Sequence, residues 1–142
     1  MCIFCKIINN EIPCYKVYED DNCLAFLDIS QATIGHTLVV PKKHYENIFE
    51  LNQDTTIMQV VIKVANALKD SLNVSDLNIV NNNGPLAGQT VNHFHIHLIP
   101  RYEGDKVSFI FGENKISNEE FVSLVNKISN KLKHLKKIIQ IS

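Results

Sequence analysis

The sequence predicts an α+β domain of about five antiparallel strands and two helices. Three observations predict it. Short apolar runs are divided by turn-forming residues, two longer segments repeat apolar residues at helical spacing, and no strand–helix–strand alternation connects them. A chain of 142 residues is the size of one domain and can bury roughly two-thirds of the surface its unfolded form exposes. No repeat, low-complexity tract or linker divides it, so residues 1–142 read as a single domain.

Tyr15 to Tyr18 and Cys23 to Leu27 are strands of a hairpin, separated by the turn-rich set Glu19-Asp20-Asp21-Asn22. Thr37 to Val40 is a third strand, ended by Pro41, which has no N–H for a ladder. From Asp54 to Leu72, Ile57, Val61, Val64, Leu68 and Leu72 mark a helix with one buried stripe. Leu77 to Val80 is a fourth strand and Val91 to Ile99 a fifth. The polar segment between them holds Gly84 and Gly88. It reads either as an ordinary connector or as a loop whose amides face an anion, and its place before a row of histidines favours the second. Ser117-Asn118-Glu119-Glu120 has capping-box form. It opens a second helix, about 117–137, with apolar positions Phe121, Leu124, Val125, Ile128, Leu132 and Leu135. Lys127, Lys131, Lys133, Lys136 and Lys137 make it basic, which reads as a solvated face complementing the helix dipole rather than as an anion or partner site, and His134 on the same helix reads as a surface residue.

Composition narrows the function classes. Hydrophobic content of 45% and charged content of 20% suit a globular chain. A net charge of -1 argues against a nucleic-acid binder, which needs excess Lys and Arg for phosphates. No apolar run is long enough to span a membrane. The start, Met1-Cys2-Ile3-Phe4-Cys5-Lys6, lacks the build of a signal peptide, so a cytoplasmic location with reduced thiols is expected.

The run His93-Phe94-His95-Ile96-His97-Leu98-Ile99 carries the most chemistry. On a strand, positions 93, 95 and 97 share one face and Phe94, Ile96 and Leu98 the other. Histidine titrates near neutrality and is the commonest metal ligand, so the row holds a metal, does chemistry, or divides the two tasks. Cys2-Ile3-Phe4-Cys5 has the spacing of a zinc half-site, a redox pair or plain buried thiols. A redox pair is expected at a helix start after a strand, and no strand can precede residue 2. Zinc would need two further ligands, for which histidines are the natural supply. All three of the row on one metal would strain a straight strand, because same-face neighbours are about 6.6 Å apart and zinc–nitrogen bonds only about 2.0–2.1 Å long.

The row resembles the His-φ-His-φ-His-φ-φ signature of the histidine triad (HIT) family, φ being hydrophobic. Gly88-Gln89-Thr90-Val91, Phe26-Leu27-Asp28-Ile29 and the segment from Gly35-His36-Thr37 to Pro41-Lys42-Lys43-His44 resemble further family segments. The motif-bearing core spans about 2–102, with a C-terminal helical extension at 117–137. The resemblance implies a HIT-like fold, a homodimer with one continuous ten-stranded sheet, and a nucleotidyl hydrolase or transferase acting on AMP derivatives. It implies that His95 is the nucleophile, adenylylated in turn, and that His97 assists at the phosphate oxygens or the leaving group. Asp28 would hold the ribose hydroxyls, while His36, Asn82, Gln89 and Thr90 would stand near the phosphates. A zinc-containing, HINT-like branch implies a structural zinc on Cys2, Cys5, His44 and His93. Cys14 and Cys23 match no ligand. The chain has no Trp, so it lacks the Trp-bearing tail of the phosphoramidase type. Hydrolysis of AMP phosphoramidates or adenylylated compounds is the leading expectation. Hydrolysis of dinucleoside polyphosphates, or nucleotide binding with little turnover, is the alternative.

Overall fold

The computed structural model describes residues 2–141, with side chains to Lys133. The expected side chains of His134, Leu135, Lys136 and Lys137 therefore lie outside the described residues. Residues through Val107 form one compact unit and those from Ser108 a second.

The first unit runs α1 (Ile3–Ile8), β1 (Lys16–Glu19), β2 (Cys23–Leu27), β3 (Thr37–Pro41), α2 (Thr56–Leu72), β4 (Asp76–Val80) and β5 (Ile96–Arg101). Its five strands make one sheet in the order β1-β2-β3-β5-β4. Every pairing is antiparallel, as expected. The described chain has three α-helices rather than two. The one unforeseen, α1, is six residues long, too short to show a helical period convincingly and short of the ~12–15 residues an isolated helix needs. Its N-cap is Cys2, whose sulfur accepts from the Cys5 amide at 3.1 Å.

Side-chain alternation divides the sheet into two apolar layers. Cys23, Ala25, Val39, Phe94, Ile96 and Leu98 pack against Ile57, Val60, Val61, Val64 and Leu68 of α2. The α2 stripe is therefore the expected one. Leu24, Phe26, Leu38 and Val40 face the other way, onto Phe4 and Ile7 of α1. The pairs Leu38–His97 and Val39–Ile96 put His97 on the α1 face and Ile96 on the α2 face.

The fifth strand begins at Ile96, not Val91. His93 and His95 precede it, on a segment held by the Phe94 amide donating to the Tyr45 carbonyl at 2.7 Å. The Tyr45 hydroxyl donates to Asp54 at 2.8 Å, and Asp54 in turn accepts from the amide and hydroxyl of Thr56, the first residue of α2. The segment carrying His44 is thus tied to that carrying His93.

The second unit holds α3 (Asn118–Ile141). The capping box is present: Ser117 Oγ accepts from the Glu120 amide and Glu120 Oε1 from the Ser117 amide, each at 3.2 Å. Phe121, Leu124, Val125, Ile128 and Leu132 are exposed. No helix among the described residues is long and apolar enough to cross a membrane.

Gly35 aims the turn that delivers His36. Its φ is +97°, and a methyl group there would collide with Leu72 Cδ1 and crowd Pro100 Cγ at 3.3 Å. Gly35→Ala is expected to destabilise the protein by about 1–3 kcal/mol, read as a fall in Tm of several degrees. An unchanged Tm would contradict this account of the turn.

Candidate functional site

The histidine row separates into two sites. His93 is fully buried, and its Nε2–H donates to the Pro41 carbonyl at 2.8 Å. A carbonyl only accepts, so the proton is on Nε2 and Nδ1 presents a lone pair. Burial also holds the His93 pKa below the ordinary imidazole value. That lone pair lies 3.4 Å from Cys2 Sγ, 3.5 Å from Cys5 Sγ and 3.0 Å from His44 Nδ1. The other edges of the group are Cys2–His44 at 3.6 Å, Cys5–His44 at 3.3 Å and Cys2–Cys5 at 3.0 Å. Tetrahedral bonds of ~2.3 Å to sulfur and ~2.0–2.1 Å to nitrogen put ligand atoms about 3.3–3.8 Å apart. Cys2, Cys5, His44 and His93 therefore form a group that can hold a metal ion. Burial, then Cys2, pushes the Cys5 thiol up to about 11, a preference that coordination to a cation reverses. Cys14 and Cys23 are free thiols outside the group.

His95 and His97 turn toward α1 and Asp28. The His95 Nδ1–H donates to the His93 carbonyl at 2.7 Å, which leaves Nε2 unprotonated. Burial lowers the His95 pKa, opposed in part by that bond and by the charge of Asp28. Asn81 donates to the His95 carbonyl at 2.9 Å. The His97 ring is 5.0 Å from that of His95. Its pKa falls to about 4 through burial, then through the neighbouring imidazoles of His95 and His36.

Asp28, His36 and His97 make a second cluster, but its protons are already assigned. The Ala32 amide donates to His36 Nδ1 at 3.1 Å. The His36 proton is therefore on Nε2, which donates to His97 Nδ1 at 2.9 Å. Neutral His97 then carries its proton on Nε2. A metal on His36 Nε2 would have to displace that proton, so the trio reads as an oriented hydrogen-bond chain. Asp28 Oδ2 is 3.6 Å from His36 Nε2, and its Oδ1 accepts from the Ser30 amide at 2.8 Å.

The remaining expected residues lie on the 81–90 loop. Gln89 accepts from the Gly84 amide at 2.8 Å and donates to the carbonyls of Glu46 at 2.6 Å and Val91 at 3.0 Å. Its amide braces two loops rather than pointing freely outward. Asn82 is half-buried beside Gly88, and Thr90 is exposed.

A cavity of about 160 Å³ adjoins this site, lined by Ile3, Phe4, Ile7, Phe26 and Leu38 with Asp28 among its walls. The sequence reading missed the three α1 residues. Their spacing, with Cys2 as cap, was the available signal, but it spans barely two turns.

An apolar slot thus has a carboxylate at its wall and neutral imidazoles beyond it. The HIT domain model matches residues 9–104, and the chain belongs to the HIT family. It is 57% identical over 117 residues to an uncharacterised HIT-like protein of Methanocaldococcus jannaschii, covering 81% of this chain and 90% of that one. It is 39% identical over 135 residues to an adenosine 5'-monophosphoramidase of Schizosaccharomyces pombe, covering 93% and 98%. Among solved structures, a HIT family protein from Bacillus anthracis superposes with a TM-score of 0.86 at 50% identity, covering 92% of this chain and 96% of that chain.

The unfolded chain takes up a proton on each imidazole near 6.5, whereas folded His97 does so only near about 4. The unfolded state binds more protons across that interval, so stability is present above 6.5 and lost as pH falls toward 4. Urea midpoints should decline over this window and decline less in His97→Asn. An equal decline in both proteins would refute the assignment.

Proposed function

We propose that the chain is a HIT-family nucleotidyl hydrolase that cleaves AMP-type phosphoramidates or adenylylated compounds through a nucleotidyl group on His95. The observation that carries this reading is the locked tautomer of His95. Its Nδ1–H is engaged by the His93 carbonyl at 2.7 Å, so the Nε2 lone pair is available at neutral pH, where a free imidazole nucleophile must be neutral.

In the first step His95 Nε2 attacks the α-phosphorus and the bond to the leaving nitrogen or oxygen breaks. The leaving group departs with that electron pair and takes a proton from solvent, while His97 Nε2–H, which the chain from His36 keeps as a donor, hydrogen-bonds it. In the second step water attacks the phosphorus and loses a proton to solvent, the bond to His95 breaks, and AMP is released with the His95 Nε2 lone pair restored. Developing charge on the oxygens is met by His97 and by amides of the 81–90 loop. The cavity takes the base by apolar contact, and Asp28 takes the ribose hydroxyls as an acceptor. His36 acts by orienting His97, and Gln89 by bracing the loop that carries Asn82 and Thr90.

The S₂N₂ set of Cys2, Cys5, His44 and His93 suits zinc. All four positions come from protein, so the ion would be structural. We further propose a homodimer. β4 is a sheet edge, and Ile79 on it and Met58 and Ile62 on α2 are exposed.

Incubation with an adenosine phosphoramidate is expected to release AMP. His95→Ala should abolish turnover, a loss of at least ~10³-fold as for removal of other nucleophiles, while still binding AMP. Turnover at the wild-type rate in that variant would overturn the nucleophile. Turnover of dinucleoside polyphosphates alone, or AMP binding without turnover, would favour the other readings.

Metal analysis should find about one zinc per chain and a large loss in Cys5→Ser, with a lower Tm. A wild type that takes up no zinc would sink the metal assignment.

A further inference from the structure

One short helix carries Cys2 and Cys5 and also touches His95. Cys2 caps α1 and Cys5 lies within it, so Ile3 and Phe4 stand between two members of the metal-holding group. Phe4 is only 7% exposed. Its ring meets the His95 ring edge-on at 5.0 Å and 83°, that of Phe26 at 5.7 Å, and that of His93 at 6.0 Å. Phe4, with Ile3 and Ile7, also lines the apolar cavity beside Asp28. One side chain therefore touches the imidazole proposed to react and walls the slot proposed for the base.

A six-residue helix does not hold itself together in water. What seats α1 is the packing of Phe4 and Ile7 on the sheet, together with the convergence of its two sulfurs on His44 and His93. The same His93 holds the His95 ring through its backbone carbonyl. Ligation of the sulfurs thus bears on both partners of the Phe4–His95 contact.

We propose that metal occupancy at Cys2, Cys5, His44 and His93 is coupled to nucleotide binding, with Phe4 as the positioning residue that carries the coupling. This rests on the nucleotide and metal readings above. Release of the ion frees the N-terminus of α1, withdraws Phe4 from His95 and loosens the wall of the base slot. Coupling between two sites is reciprocal, so a nucleotide that binds better to the metal-loaded form must tighten metal binding by the same factor.

The test uses the full chain with Zn²⁺ and AMP, and reads binding rather than turnover. AMP affinity is measured by calorimetry in zinc-loaded and chelator-stripped protein, with circular dichroism reporting folding. Zinc affinity is measured by competition with a metallochromic chelator, with and without saturating AMP. Removing zinc should weaken AMP binding at least about fivefold, AMP should tighten zinc by an equal factor, and Phe4→Ala should bring both effects below about twofold. If stripping unfolds the chain, the zinc competition on loaded protein still decides. If Phe4→Ala does not fold, Phe4→Leu takes its place with a reduced effect expected.

AMP binding with the same affinity in folded stripped and loaded protein, or zinc affinity unmoved by AMP, overturns the coupling. Full coupling in the Phe4 variants overturns the route through Phe4. Failure of AMP to bind either form, or of zinc to bind at all, overturns instead the readings on which the inference rests.

Discussion

The bond from His95 Nδ1 to the His93 carbonyl is the contact on which the rest of the site depends. It fixes a tautomer, and a tautomer decides whether the outward nitrogen is a lone pair or a donor. His93 can offer that carbonyl in a fixed direction because it is restrained on every side. Its ring donates to Pro41, its Nδ1 faces two sulfurs and His44, and the next amide is held by Tyr45. Tyr45 in turn reaches Asp54 at the start of α2. The geometry of one imidazole is thus set by β3, the 41–45 segment and the N-terminal helix together.

Burial does most of the electrostatic work. Removing an imidazole from water disfavours its charged form, and His93, His95 and His97 all shift in that direction. Clustering deepens the effect at His97, where protonation would set a cation beside His95 and His36. The outcome is a group of neutral rings whose hydrogen-bond directions are set from outside, by Ala32 on one side and His93 on the other. Such a group can meet a phosphate with a nucleophile at one nitrogen and a donor at another. In the same sense it is unsuited to a metal, because the nitrogen between His36 and His97 already holds the proton that joins them.

Much of this was legible in the chain. Period-2 alternation puts Phe94, Ile96 and Leu98 on one apolar face opposite the histidines because the pleat enforces it, and the α2 stripe follows from helical spacing; the structure packs the two together. The capping box at Ser117 was readable because it is a local exchange of two hydrogen bonds. Cys2, Cys5, His44 and His93 converge as the resemblance implied. The short α1 was not legible, since six residues carry too little period to separate a helix from a loop. Nor was the start of β5, because side-chain pattern continues through His93 and His95 while backbone pairing there passes to Tyr45. The motif places Gln89 on the phosphate side; two of its three partners, Gly84 and Val91, are local, and only Glu46 is brought to it by the fold.

The sequence by itself determined the class of fold, the faces of the sheet and the inventory of histidines, cysteines and acids available for chemistry. These follow from periodicity and residue type, which are local properties. Only the tertiary structure decided which nitrogen of His36, His93, His95 and His97 holds a proton, and that α1 joins a group able to hold a metal to an apolar slot. Protonation is set by partners such as Pro41, Ala32 and the His93 carbonyl, and those meetings exist only after the chain has closed on itself.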